Sequence, residues 1–182
     1  MGRGSDAPPL AWAAVDPFIG TGGEGHTFPG AVVPFGMVQL SPDTQIKPRK
    51  EAYGWAAGYR HDDHTIVGFS HTHFSGTGHS DLGDVLVMPV AGDVKFERGD
   101  ADKPGSGYTS RFRHETEVAQ PGYYAVTLDD GGIRAELTAG ARVGVHRYAF
   151  PAGKPAHVLV DMRTSMYDYP GKVSWSRLRL RP

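Results

Sequence analysis

Short stretches of alternating apolar and polar residues recur along this chain, and turn residues separate them. The pattern is cleanest in the second half. Ile133 to Thr138 (IRAELT) sets Ile133, Ala135 and Leu137 on one face. Arg142 to Phe150 (RVGVHRYAF) alternates too, with Val143, Val145 and Arg147 sharing a face. Gly122 to Leu128 (GYYAVTL) is rich in β-formers and ends at Asp129-Asp130-Gly131-Gly132, a hairpin signal. Tyr108 to Glu117 alternates, and Ala156 to Asp161 (AHVLVD) predicts a central strand. In the first half, Gly36 to Leu40 predicts a strand closed by Ser41-Pro42-Asp43, with a polar loop over 43–52. Thr65 to Phe69 predicts another short strand. Asp84 to Val90 (DVLVMPV) is a near-continuous apolar run that predicts a buried one, and Val94 to Glu97 continues it after a turn. Strands at about ten- to fifteen-residue spacing, joined by turns, predict an all-β fold, an antiparallel β-sandwich.

The ends differ from the middle. Residues 1–14 read as a flexible lead, and 15–182 as one sandwich domain. Val15 to Gly36 contains Pro17, Pro29 and Pro34, a density no helix survives. At the other end, in KVSWSRLRLRP, Arg177, Arg179 and Arg181 alternate with Leu178 and Leu180. That predicts a half-buried strand needing a partner, with no turn or cap after it. The expectation is a sandwich incomplete at its C-terminus.

Composition narrows the classes. With 182 residues the chain can bury roughly 70% of its unfolded surface, so a real core is expected. The 25 glycines and 14 prolines far exceed the usual combined share of roughly 12%, which suits many short strands and disfavours long helices. Net charge is −1 and no basic run occurs, so neither nucleic acid nor an anionic membrane is an expected partner. No apolar stretch reaches about 18 residues. The absence of cysteine excludes disulfides, thiolate metal sites and a cysteine nucleophile. The start, MGRGSDAPPLAW, lacks the apolar core of a signal peptide, which leaves the compartment open.

Candidate chemistry concentrates in Gly68 to Asp84 (GFSHTHFSGTGHSDLGD), where His71, His73 and His79 sit among serines, threonines and short glycine steps. On an extended backbone His71 and His73 point the same way. Such a pair can begin a metal site, completed by His79, Asp81 or Asp84; it can bond local backbone and hydroxyls; or it can grip a sugar directly. Gly20 to Gly25 (GTGGEG) formally matches a dinucleotide fingerprint, but Pro29 and Pro34 follow where a helix is required. A loop with positive-φ turns fits better, bringing Glu24, His26 and Thr27 to a surface. Tyr53-Gly54-Trp55 and Gly58-Tyr59-Arg60 cluster aromatics with an arginine, suited to stacking on sugar faces and bonding hydroxyls. The alternative for Trp55 is a core position.

Two of these stretches, VDPFIGTGGEGHTFPGAVVPFGMVQLSPDT (Val15–Thr44) and GFSHTHFSGTGHSDLGDVLVMP (Gly68–Pro89), resemble the N-terminal domain of glycoside hydrolase family 92. PGYYAVTL, IRAELTAGARVGVHRYAFP and VLVDM extend the likeness. The resemblance implies an exo-acting, inverting, calcium-dependent α-mannosidase, of α-1,2 type, acting on terminal mannosides of glycans. It implies a β-sandwich packed on a catalytic (α/α)6 domain, which supplies the acid, the base and most calcium contacts and for which this chain has no counterpart. No catalytic or metal-binding residue, and no cofactor, is then expected on this chain, and it should be inactive alone. Its share is a wall of the mannose pocket: Trp55, the loop of Gly22, Gly23 and His26, and the ribbon of His71, His73, Ser75, Gly76 and Thr77. Partners implied are a mannose-containing glycan and the helical domain, in a secreted or periplasmic setting. Two rivals stay open: a stand-alone carbohydrate-binding sandwich, and a sandwich binding metal through its histidine cluster.

Overall fold

A computed structural model of the chain describes residues 11–44, 57–76, 82–163 and 173–179. Eleven strands are present among these residues: β1 (Ala31–Val32), β2 (Gln39–Asp43), β3 (Thr65–Ile66), β4 (Gly68–Ser70), β5 (Leu86–Ala91), β6 (Ser110–Arg111), β7 (Val118–Gln120), β8 (Tyr123–Leu128), β9 (Ile133–Ala139), β10 (Gly144–Ala149) and β11 (Ala156–Asp161). Every pairing is antiparallel. Helical structure among the described residues is confined to 3-10 turns at Ala11–Ala14 and His114–Thr116.

Two main sheets form, in the orders β1-β2-β4-β5-β11 and β10-β9-β8-β7, with β3 and β6 as a small third ladder. β9 lies across β1, β2 and β5, so the main sheets face each other as a sandwich. Between them Leu40, Phe69, Leu86 and Met88 meet Tyr124, Val126, Leu128, Ile133, Ala135 and Leu137, all essentially solvent-free. Alternation builds this core directly: Ile133, Ala135 and Leu137 point inward while Arg134 and Glu136 stay at the margin. The hairpin of β8 and β9 closes where Leu128 pairs with Ile133, around Asp129-Asp130-Gly131-Gly132.

Several elements depart from the sequence reading. Ser41 and Pro42 do not close a strand; they continue β2, with Pro42 opposite Phe69. β1 pairs only as far as Gln39 and Leu40, so proline stands beyond the end of that ladder and removes no hydrogen bond from it. Val94 to Glu97 forms no strand, and Tyr108 to Glu117 shortens to the two residues of β6 plus a 3-10 turn. In β10 the inner face carries His146 and Tyr148, and Val145 is half exposed. β11 is an edge rather than a central strand: β5 is its partner, and Val158 and Val160 are half exposed on its outer face. Residues 173–179 carry no strand pairing, and Trp175 and Leu178 are exposed.

Candidate functional site

The histidine ribbon leaves β4 between β2 and β5. It is fixed first by backbone: His71 N donates to Asp84 O (3.0 Å), and His71 O accepts from Gln39 N (2.9 Å). Thr72 then works as a latch. Its hydroxyl donates to Asp84 Oδ2 (2.8 Å) and accepts from Gly83 N and Asp84 N (3.1 and 2.9 Å). The two histidines flanking it part company. His71 reaches the opposite sheet, whereas His73 turns into the protein.

His73 is buried, as is Asp43 at the end of β2. The ring's Nδ1–H donates to Gln39 O (2.7 Å), while Nε2 meets Asp43 Oδ1 (3.1 Å) and Ser70 Oγ (3.2 Å). Asp43 Oδ2 accepts from Ser70 N (3.1 Å), so both carboxylate oxygens are engaged. Buried polar groups need such completeness, because an unpaired one carries its full desolvation penalty. Gly58 closes the cage. Its φ is +69°, and a Cβ there would stand 2.4 Å from Asp43 Oδ1 and 2.9 Å from the His73 ring. Thr44 extends the network: its hydroxyl donates to Asp63 Oδ2 (2.9 Å) and accepts from Arg60 N (2.8 Å).

The glycine loop lies against this cage. Thr27 N donates to Gly20 O (3.2 Å) and Gly25 N to Gly22 O (3.1 Å), which folds the loop back on itself. A side chain at Gly25 would put its Cβ 2.0 Å from Gly20 O. Gly22, Gly23 and Glu24 are exposed. His26 is not brought to the surface as the loop reading expected: it is 7% exposed, sits at φ 56°, and lies 3.6 Å from Glu24. The self-closure of the loop turns it inward. Its carbonyl accepts from Gly76 N (2.8 Å), which joins the two glycine-bearing motifs directly. Phe28 covers the His73 ring, with centroids 5.3 Å apart. Exposed Phe74 and Ser75 then border exposed Gly22 to Glu24.

His71 joins the sandwich's halves. Its Nδ1–H donates to Val85 O (2.8 Å), and its Nε2 lies 3.1 Å from His146 Nε2 on β10. His146 Nδ1 in turn bonds the Tyr148 hydroxyl (2.7 Å). Burial, and secondarily His71 beside it, pull the His146 pKa down to about 4. Val85, β-branched, is held at φ 54°, a strained backbone state of the kind found at working sites.

The structure therefore brings Gly22, Gly23, His26, Ser75 and Gly76 together, with His73 beneath them and His71 to one side. Trp55 and Thr77 fall outside the described residues, as do His79 and Asp81. Tyr59 and Arg60, read from sequence as sugar-facing, are buried: Tyr59 bonds Glu117, and Arg60 Nε donates to Asp62 Oδ2 (3.1 Å). Sequence reasoning missed the partnership of His73 with Asp43 and that of His71 with His146. No local signal marks either, because the partners are separated by 30 and 75 residues.

Comparison with known proteins bears on this arrangement. The family model described as "Glycosyl hydrolase family 92 N-terminal domain" matches residues 14–180. An α-mannosidase of that family from Bacteroides thetaiotaomicron superposes with a TM-score of 0.80 at 44% identity, over 86% of this chain and 20% of its own. The same enzyme has been solved in complex with mannoimidazole. A family inverting mannosidase from the same organism gives a TM-score of 0.53 at 28% identity, over 75% of this chain and 17% of its own. An uncharacterized secreted glycosidase from Arthroderma benhamiae is 32% identical over 81% of this chain and 19% of its length. The chain thus spans about a fifth of the length of these relatives.

Proposed function

Because the chain belongs to glycosyl hydrolase family 92, whose N-terminal domain it carries, we propose that it is the β-sandwich portion of an exo-acting, inverting α-mannosidase. The substrate is a terminal α-mannoside of a glycan, of α-1,2 type. The domain is residues 15–182, and its contribution is one wall of the mannose pocket. The observation that carries this reading is the bond from Gly76 N to His26 O, which aligns the two loops into one exposed, glycine-lined surface. Glycine lets a ring of hydroxyls approach the backbone closely. Trp55 supplies an aromatic face for the sugar. His73 takes a supporting role in this reading: with both ring nitrogens engaged below the surface, it holds the ribbon and leaves the contact to Ser75, Gly76 and Thr77.

Inversion needs a carboxylic acid and a carboxylate roughly 6.5–9.5 Å apart with water between them. Asp43 does not qualify, since both its oxygens are engaged within the chain. The acid and base are assigned to an (α/α)6 partner domain. Calcium is assigned there too. It seeks six to eight oxygen ligands, whereas in this site the Asp43 oxygens are occupied and Asp84 accepts from Thr72. These residues do not fit calcium, and no step here runs through it. The likeness to a secreted glycosidase supports an exported protein.

A chimera tests the reading. This chain replaces the matching fifth of the Bacteroides α-mannosidase, and release of the aryl group from an aryl α-mannoside is followed. The chimera is expected to turn over, and the 182-residue chain alone to be silent. A folded chimera without turnover, or turnover by the isolated chain, overturns the proposal.

A further inference from the structure

A second cluster lies behind the glycine loop, away from the ribbon. His61 N donates to Thr21 O (3.0 Å), which fixes His61 beside that loop. Its exposed ring stacks on the ring of His114, with centroids 4.0 Å apart and planes 28° from parallel. His114 opens the 3-10 turn that precedes β7, and its Nδ1–H donates to Glu117 Oε2 (2.6 Å). The Glu117 side chain is 1% exposed. It also accepts from the hydroxyls of Tyr59 (3.0 Å) and Tyr124. One ligating atom each from His61, His114 and Glu117 lies within 4.8 Å of the other two. His114 Nε2 is buried and makes no hydrogen bond within the chain.

We propose that His61, His114 and Glu117 form a binding site for a first-row divalent transition ion, with zinc as its occupant. Two imidazoles and one carboxylate are the donor set of three-ligand zinc sites, which leave a fourth position to water. The same set is wrong for calcium, which wants oxygens. Tetrahedral bonds of about 2.0–2.1 Å place ligand atoms about 3.3 Å apart. His61 is exposed and can approach that value by turning its ring off His114, while the 2.6 Å between His114 Nδ1 and Glu117 Oε2 opens as the ion enters between them. When Nδ1 ligates zinc, the neutral ring's one proton moves from Nδ1 to Nε2, so the ring changes tautomer and releases no proton. Tyr59 and Tyr124 keep their bonds to the carboxylate and aim it, the outer-shell support that metal ligands commonly have.

The bland reading is a buried carboxylate satisfied by three donors. It accounts for Glu117, Tyr59 and Tyr124. It does not account for a second imidazole stacked against the first. The site joins the strand-linking segment that carries Gly58 and His61 to the edge of β7 and β8, so its ion would brace the sandwich from behind the sugar-facing loop. This inference does not rest on the sugar-pocket reading.

The test is calorimetric titration of the chelator-stripped 182-residue chain with zinc alone. One ion per chain is expected, with an affinity that falls as the pH is lowered and protons compete for the imidazoles. His61→Ala should weaken binding by at least about tenfold, and Glu117→Gln by at least as much. Because His61 is exposed, its variant should keep the metal-free melting temperature within about 2 °C of the parent. His64→Ala, a neighbour outside the ligand set, should leave affinity within about twofold. Absence of saturable binding at about 100 μM zinc, or equal affinity in the parent and His61→Ala, overturns the proposal. Should Glu117→Gln not fold, His61→Ala decides alone.

Discussion

His73 and Asp43 lie 30 residues apart in the chain, yet Nε2 and Oδ1 meet at 3.1 Å in a buried cage. The pair ties the root of the histidine ribbon to the end of β2. It adds a side-chain tie to the backbone bonds that already hold His71 and β2.

Removing one member strands the other. His73→Ala leaves a buried carboxylate facing Ser70 N alone, and should lower unfolding free energy by about 3–5 kcal/mol. Denaturant titration of the two proteins measures it. A loss below about 0.5 kcal/mol, the range of ordinary surface changes, would show that the cage is not holding the fold.

Gly58 gives a second handle on the same cage. Gly58→Ala asks an L-residue to adopt φ +69° and to place a Cβ 2.4 Å from Asp43 Oδ1. The backbone term alone is about 1–2 kcal/mol, and displacement of the carboxylate adds to it. The variant should melt well below the parent, whereas Gly105→Ala, at φ +77° with no neighbour near its Cβ, should show the backbone term only.

The burial of His146, with His71 beside it as the lesser cause, makes stability depend on pH. The folded-state pKa of His146, about 4, lies below its unfolded value near 6.5. Its contribution is therefore complete above about pH 6.5 and is lost as pH falls through about 4. Melting temperatures across that window should fall more steeply for the parent than for His146→Gln. Parallel curves would remove His146 as the cause. Glu136, held at about 2 by Arg147 and then Tyr123, acts in a lower window, between the ordinary glutamate range and about pH 2.

The glycine loop can be challenged without touching the sheets. In the chimera, Gly25→Ala drives a Cβ to 2.0 Å from Gly20 O and forces the loop open. The value of kcat/KM on an aryl α-mannoside should drop at least about tenfold, as expected when a substrate-positioning element shifts. The melting temperature should fall as well, because the clash is with backbone, so turnover is compared at a temperature where both chimeras are folded. Unaltered turnover would place the loop outside the pocket.

β11 offers a solubility test. Its outer face presents Val158 and Val160, 52% and 51% exposed, beside a backbone edge that no strand among the described residues pairs. Val160→Lys should lower light scattering on warming and alter stability by no more than about 0.5 kcal/mol. Undiminished scattering would locate the aggregating surface elsewhere.

The second half of the chain was readable because its signals are local. Asp129-Asp130-Gly131-Gly132 marks a hairpin, and the alternation through Ile133, Ala135 and Leu137 settles which face is buried. Other elements, in both halves, depend on distant partners. Nothing around Pro42 announces that β1 stops short of it, which is why a breaker sits within a strand. Nothing in Ala156 to Asp161 says that β5 is its partner at an edge. In β10 the alternation groups Val143, Val145 and Arg147 without saying which face is inner; His146 takes the inner one, where its ring finds His71 and Tyr148 as hydrogen-bond partners. The ribbon and the glycine loop were both visible as motifs. Their junction through Gly76 and His26 is a backbone bond, and backbone bonds between loops leave no mark in side-chain chemistry.

That junction also sets the unit of transplantation. The glycine loop closes on itself, but the bond from Gly76 N to His26 O fixes where it sits against the ribbon, so the placement belongs to both loops. A graft carrying the glycine loop onto another scaffold without the ribbon would deliver the right letters in the wrong place. An engineer wishing to retune the opening must recast both loops at once, as a single part made of two distant pieces of chain.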